Sequence, residues 1–247
     1  MNVINNGAGR LSGKIALVTG ASSGIGRATA LALALEGAAV VATARRVSEL
    51  ESLAQECKVF GGNLRFLAGD LGSSDFASQL VSSSGDVNIF VNNAGVLTYA
   101  PFVELTDEQN EAMFQVNVLA SIRICQLVAK GMAARKSGHI VMMTSLSARN
   151  INRFSAVYGA TKHAMAAITK GIRLELGSSG LKVTEIAPGM VDTDIRKGNT
   201  NPEVVKAVAT RTYAPLSPED VAQAVIYAVS TSPNCCPDLI ELRPTFA

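Results

Sequence analysis

The stretch Ile15-Ala16-Leu17-Val18-Thr19-Gly20-Ala21-Ser22-Ser23-Gly24-Ile25-Gly26 passes from an apolar run through a glycine-rich turn into a segment of helical period. Glycines permit positive φ in such a turn and let backbone approach a pyrophosphate, which would sit at the positive end of the helix against its unpaired N–H groups. The spacing is G-x-x-x-G-x-G and not the usual G-x-G-x-x-G dinucleotide fingerprint, so most of its meaning comes from its place at a first strand-to-helix junction. A tight connection that binds nothing is the plain alternative. Gly20, Ser22, Ser23, Gly24, Ile25 and Gly26 are the candidate phosphate-binding residues.

Outward from this turn, short β-branched runs alternate with longer helical stretches, the pattern of repeated βα units and a parallel sheet. Strands are expected near 15–19, 39–43, 64–69, 87–91, 139–144, 183–187 and 239–241. Helices are expected between them, among them 24–36, closed by Gly37 as a left-handed C-cap, and the long 107–134 and 155–177. The expected fold is α/β, a single-domain Rossmann-type doubly wound parallel sheet of about seven strands with helices on both faces. No repeat or Pro-rich linker divides the chain. A flexible arm over 1–11 and one dinucleotide-binding and catalytic domain over 12–247 are expected. Residues 190–215, rich in Asp, Thr, Asn and Gly, break the rhythm, with one helical piece at 202–210; such an irregular insertion is expected to be a substrate lid.

Composition agrees with a globular enzyme-sized domain. Of 247 residues, 48% are hydrophobic and 17% charged, and 22 Lys and Arg face 20 Asp and Glu. A net charge of +2 leaves no cationic surplus for tight binding to nucleic acid or an anionic membrane. No apolar run is expected to reach the roughly 18–20 residues of a membrane span, and the opening segment lacks a secretory signal; a cytoplasmic location is expected. Cys57, Cys125, Cys235 and Cys236 show no CxxC spacing and read as free thiols. His139 and His163 form no spaced pair with carboxylates or cysteines, so no metal is assigned. On 107–134, Met113, Phe114, Val116, Leu119, Ile122 and Leu127 fit equally the chain's own sheet or another subunit.

At the end of the second strand a dinucleotide fold commonly has an acidic residue that accepts from the adenosine ribose hydroxyls. Here Ala44 stands there, followed by Arg45 and Arg46. Two guanidinium forks would pair with a 2′-phosphate, so NADP(H) is preferred over NAD(H); an exposed Arg pair opening the next helix is the alternative. Tyr158 and Lys162, four apart, share one helix face. Bringing a phenol from about 10 to about 7 needs roughly 4 kcal/mol, which one ammonium about 4 Å away supplies at an effective dielectric near 20. Tyr158 could then exchange a proton with an alcohol or carbonyl oxygen while Ser145 hydrogen-bonds that oxygen. Arg196, Lys197 and Arg211 would suit an anionic group, although a solvated loop carries such residues too.

Thr19–Gly26, Asn92-Asn93-Ala94-Gly95, Asn117, Ser145, Tyr158-Gly159-Ala160-Thr161-Lys162 and Pro188-Gly189, in this order and spacing, resemble the short-chain dehydrogenase/reductase family across about residues 12–242. The resemblance implies Tyr158 as general acid/base, Ser145 as the group polarising the substrate oxygen, Lys162 lowering the Tyr pKa and holding the nicotinamide ribose, and Asn117 bending its helix around a proton-relay water. It also implies Asn93, Ala94 and Gly95 on the adenosine side, Asp70 and Leu71 near the adenine, Val191 and Thr193 toward the nicotinamide carboxamide, and Pro188 and Gly189 against the cofactor at the carboxyl end of the sheet, where they could also simply break the chain after a strand. Asn93 and Asn117 could equally satisfy backbone groups, and Asp70 could only begin a turn before Gly72. The ending Pro237-Asp238-Leu239-Ile240-Glu241-Leu242-Arg243-Pro244-Thr245, without a closing Asp-Gly-Gly, is similar to the NADP-preferring branch with 3-hydroxy acid dehydrogenases and clavulanic acid dehydrogenase. That implies a small carbonyl or alcohol substrate and a homodimer or homotetramer. A 3-oxoacyl-carrier-protein reductase comes second, and a non-catalytic dinucleotide-binding protein third.

Overall fold

The computed structural model describes residues 9–197, 199–210 and 212–245. Seven strands, β1 (Ile15–Thr19), β2 (Ala39–Ala44), β3 (Asn63–Ala68), β4 (Ile89–Asn92), β5 (Gly138–Met143), β6 (Leu181–Pro188) and β7 (Leu239–Leu242), form one sheet in the order β3-β2-β1-β4-β5-β6-β7. Every pairing is parallel, so each connection must cross over, and helices supply the crossovers. The order reverses between β1 and β4, which opens a crevice at their carboxyl ends, where such sheets bind ligands.

Both faces of the sheet are buried, which is why the strands read as continuous apolar runs. Ala16 and Val18 of β1 face one core layer, packed with Ala30, Leu33 and Ala34 of α1 (Gly24–Leu35), Leu50 and Leu53 of α2 (Val47–Val59), and Val221 and Val225 of α8 (Pro218–Val229). Leu17, Phe90, Ile140 and Met142 face the other. There they meet Leu80 of α3 (Ser74–Ser84), Ile124, Val128 and Met132 of α5 (Ser121–Ala134), and Met165 of α6 (Ala156–Leu176).

Gly37 closes α1 at φ +92°, its N–H on the Ala34 carbonyl, as its position implied. The expected helix 107–134 is one rod with an irregularity: α4 (Asp107–Phe114) runs into a π-turn at Gln115–Ala120 before α5. Its 18-residue window of mean hydropathy 1.4 makes Asp107–Ala134 long and apolar enough, by length and composition, to cross a membrane. The expectation that polar interruptions would prevent this is therefore corrected. Half of that window is buried inside the molecule, against the sheet.

Two residues of the expected arm, Arg10 and Leu11, pack against the domain. Leu11 is buried, its N–H on the Glu36 carbonyl, and Arg10 pairs with the Glu36 carboxylate. The rest of the expected arm, residues 1–8, lies outside the described residues. All four cysteines are free thiols, Cys57 and Cys125 buried.

Candidate active site

A cleft of about 700 Å³ opens at the carboxyl ends of the strands. Its floor is the turn between β1 and α1. Gly20 has φ +68°, and a Cβ there would stand 2.9 Å from Ala94 Cα. A Cβ on Gly26 would overlap the Gly20 carbonyl oxygen, and Gly24, at φ +54°, lies directly under the Thr193 methyl. The glycines are thus required by the fold as well as by any ligand. Ser23, the N-cap of α1, makes no side-chain cap bond, and the first turn holds no acidic residue. The helix end is left with unpaired N–H groups facing the cleft, which suits a dinucleotide pyrophosphate.

Arg46 reaches over this turn, donating through Nη2 to Ser22 Oγ at 3.0 Å and Ser23 Oγ at 2.7 Å. Arg45 and Arg46 are exposed on the rim beside buried Ala44, so this end of the cleft presents two cations and no carboxylate at the end of β2. Asp70 and Leu71 also line it. Asp70 Oδ1 accepts the Gly72 N–H at 2.9 Å, so the turn-forming role holds whether or not an adenine lies alongside.

Asn93 is spent largely on the scaffold, its Nδ2 donating to the Thr19 carbonyl at 2.9 Å, while Thr19 Oγ1 accepts the Asn93 and Ala94 N–H groups. This ties β4 to the glycine turn and places Asn93, Ala94 and Gly95 on the cleft wall. Asn117 lies in the π-turn, where a distorted helical ladder turns its amide across to another segment. It exchanges two hydrogen bonds with the Val96 backbone, at 2.7 and 2.9 Å, and donates to Thr161 Oγ1 at 3.1 Å. Three partners occupy the amide, and a Cβ on Gly95 would stand 3.3 Å from its oxygen. Asn117 itself is not among the cleft-lining residues.

Ser145 follows β5, and Tyr158 and Lys162 lie on the first turns of α6. All three are buried and line the cleft. Ser145 accepts the Ser147 N–H at 3.1 Å, which fixes its hydroxyl at the mouth of the loop. The expected electrostatics are corrected by burial. Tyr158 is pushed well above its ordinary value by burial first and by Tyr99 second, with the Ser145 hydroxyl and Arg196 pulling the other way. Lys162 is lowered to about 8 by burial. Its Nζ donates to the Met143 carbonyl at 3.1 Å and stands 5.7 Å from the centre of the Tyr158 ring, so loss of hydration outweighs the attraction that the four-residue spacing suggested.

Pro188, Gly189, Val191 and Thr193 line the opposite wall, where the Gly189 N–H donates to the Leu242 carbonyl. The ends of the 190–215 segment are zipped together: Val191 and Leu216 bridge in parallel, and Asp192 N–H donates to Leu216 O at 2.8 Å. Of its described residues, those from Met190 to Arg196 other than Asp192, together with Tyr213, border the cleft; α7 (Pro202–Ala209) does not. Asn199 Nδ2 tethers the segment to the Tyr99 carbonyl, and Arg153 pairs with Glu203. Lys197 is paired with Asp194, and Arg211 lies outside the described residues.

Sequence reasoning missed Tyr99, which stands edge-on to Tyr158 with ring centres 6.1 Å apart, and Arg243 and Pro244, which close the far wall. The Arg-Pro pair after the last strand was visible. Nothing local said that it would return over the cleft.

Residues 14–203 match the short chain dehydrogenase family. L-xylulose reductase of Mesocricetus auratus is 37% identical over 230 residues, 91% of this chain and 92% of that protein. A serine dehydrogenase solved in its closed form with NADP+ superposes with a TM-score of 0.85 at 27% identity, covering 92% of this chain and 94% of the other. A 7α-hydroxysteroid dehydrogenase solved with NADH and a 7-oxo bile acid superposes equally well, TM-score 0.85 at 28% identity over 97% and 96%.

Proposed function

The chain belongs to the short-chain dehydrogenase/reductase family, and from that premise we propose that it is an NADP(H)-dependent oxidoreductase interconverting a small carbonyl compound and its alcohol. The observation that carries this reading is the convergence of Ser145, Tyr158 and Lys162 on one cleft with the uncapped start of α1. The dinucleotide would supply the hydride donor or acceptor. Tyr158 would deliver or take the proton at the substrate oxygen, Ser145 would hydrogen-bond that oxygen, and Lys162 would hold a ribose hydroxyl. Asn117 would act through the Val96 backbone and Thr161, fixing α6 against the cleft wall.

The choice of NADP(H) over NAD(H) rests on Arg45 and Arg46 at the end of β2. The serine dehydrogenase and the hydroxysteroid dehydrogenase carry different dinucleotides at equal structural similarity, so fold alone does not choose. The residues from Met190 to Arg196 would form the hinge side of a lid. Arg196 Nε has no partner among the described residues, and the guanidinium lies 6.0 Å from the Tyr99 ring centre, one ring away from Tyr158. This supports a substrate of the 3-hydroxy acid kind, its carboxylate toward Arg196. Phe114 and Leu119, 41% and 52% exposed on the α4–α5 rod, would seat a second copy of the chain.

NADPH oxidation followed at 340 nm against aldehydes, ketones, ethyl 3-oxobutanoate and 3-oxo acids, with NADP+ reduction by 3-hydroxy acids, tests the reading. Turnover with at least one carbonyl and a higher kcat/KM for the acid than for its ester are expected. NADPH binding without turnover across the panel would return the chain to the non-catalytic reading. Light scattering tests the second copy.

A further inference from the structure

One oxygen of Glu185 touches both ends of the hexapeptide that carries Ser145. Glu185 Oε1 accepts from Thr144 Oγ1 at 2.6 Å and stands 2.7 Å from Arg149 Nη2. Between these anchors lie Ser145 and the short 3-10 turn Leu146–Ala148, closed by the Ala148 N–H on Ser145 O and the Arg149 N–H on Leu146 O. Arg149 Nη2 makes no directed hydrogen bond among the described residues, so its contact with Glu185 is ionic.

Glu185 sits on interior strand β6 and is 1% exposed. A carboxylate taken out of water is costly unless its charge is met, and a well-packed apolar residue at such a place is often at least as stable. The network extends outward from Arg149, whose Nε lies 3.4 Å from Glu241 Oε1 on β7. Glu241 Oε2 accepts from Arg243 at 3.0 Å, and Arg243 lines the cleft. The ions therefore join three segments that meet at the candidate substrate site: the Ser145 loop, β6 and the end of β7.

We propose that Glu185, with Thr144 and Arg149, is a positioning clamp that sets where the Ser145 hydroxyl stands against Tyr158, and that Glu241 couples this clamp to the Arg243 wall. The proposal rests on the reading that Ser145 meets the substrate oxygen. A strand residue holding both feet of a loop limits how far the whole turn, and with it the Ser145 hydroxyl, can shift, and a displacement of about 1 Å at a reacting group can cost up to about 100-fold in rate.

A double-mutant cycle separates positioning from general support. Kinetics of ethyl 3-oxobutanoate reduction by NADPH are measured for the wild-type protein, Glu185→Gln, Ser145→Ala and the pair, with NADPH affinity read from nucleotide fluorescence and folding from thermal melts. Glu185→Gln is expected to lower kcat about tenfold with KM and NADPH affinity within twofold of wild type, and to lower the residual kcat of Ser145→Ala by less than twofold. Thr144→Val, which removes one anchor and keeps the charge pair, is expected to show the same pattern at smaller size and serves if Glu185→Gln does not fold. Equal fold-losses in both Ser145 backgrounds, or no loss in either, would overturn the clamp alone. Undiminished activity of Ser145→Ala would overturn the Ser145 reading and the clamp with it.

Discussion

Lys162 Nζ rests on the Met143 carbonyl at 3.1 Å while the Tyr158 ring centre lies 5.7 Å away. The lysine is thus held by the end of β5, with the tyrosine one turn earlier on the same helix. Tyr158→Phe keeps the packing and removes the hydroxyl proposed to carry the proton. It is expected to retain NADPH affinity within about threefold and to lose carbonyl reduction by about 100- to 10,000-fold. Retention of most turnover would refute the assignment.

Burial lowers Lys162 to about 8. Its charged form favours an anionic ligand, so bound NADPH raises its pKa, and affinity is fully present below about 8 and falls as pH rises through that value. Lys162→Arg stays charged and is expected to carry unchanged affinity to pH 10. A fluorescence titration between pH 6 and 10 measures both; a flat wild-type profile would exclude the mechanism.

The rim of the cleft is expected to set dinucleotide preference. Arg46, already oriented by Ser22 and Ser23, needs little further ordering to meet a 2′-phosphate. Each charge-assisted bond is worth about 1.5–3 kcal/mol, so Arg46→Ala is expected to weaken NADPH by roughly 10- to 100-fold and leave NADH nearly unchanged. Ala44→Asp with Arg45→Ala should abolish the preference for the phosphorylated form. Equal efficiency of the unmutated protein with both nucleotides would contradict it.

Gly26→Ala and Gly171→Ala form a matched pair. A methyl at 26 overlaps the Gly20 carbonyl in the turn, whereas one at 171, within α6, meets nothing within 4 Å. The first is expected to lose at least about 2 kcal/mol and most NADPH binding, the second to gain about 0.5–1 kcal/mol from helix propensity. Urea melts of the two variants decide.

His139 is buried against Thr184 Oγ1 at 2.8 Å, and burial, with Lys182 adding, lowers it to about 4. Its unfolded value is near 6.5, so between about 6.5 and 4 the unfolded chain binds a proton that the folded chain refuses. Stability contributed by the neutral ring is complete above 6.5, declines as pH falls, and levels below 4, for a total of roughly 3 kcal/mol. His139→Gln should show a shallower loss of Tm over that interval; identical slopes would show that other groups carry it.

The strand-and-helix rhythm was legible because each βα unit is encoded locally: all seven strands fall within about two residues of the expected bounds, and Thr19–Gly26, Gly37 and the Tyr158–Lys162 spacing are short-range patterns. A bend at Asn117 was implied only by the family resemblance; its form as a π-turn and its partners were not, because Asn117 is drawn to the Val96 backbone and Thr161, 21 and 44 residues away. Leu11 is likewise buried by a partner, Glu36, that only the fold brings near.

By itself, then, the amino-acid order determined the alternation that makes a parallel sheet, the glycine turn at its switch point, and the Tyr158–Lys162 spacing on one helix face. Tertiary structure alone decided how those groups are poised. Burial sets Tyr158 and Lys162 against ionisation, long-range contacts bring Tyr99 and Arg243 to the cleft, and one oxygen on β6 holds both feet of the Ser145 loop. Local propensity acts through neighbours along the chain, whereas desolvation and ion pairing depend on what the folded chain packs alongside.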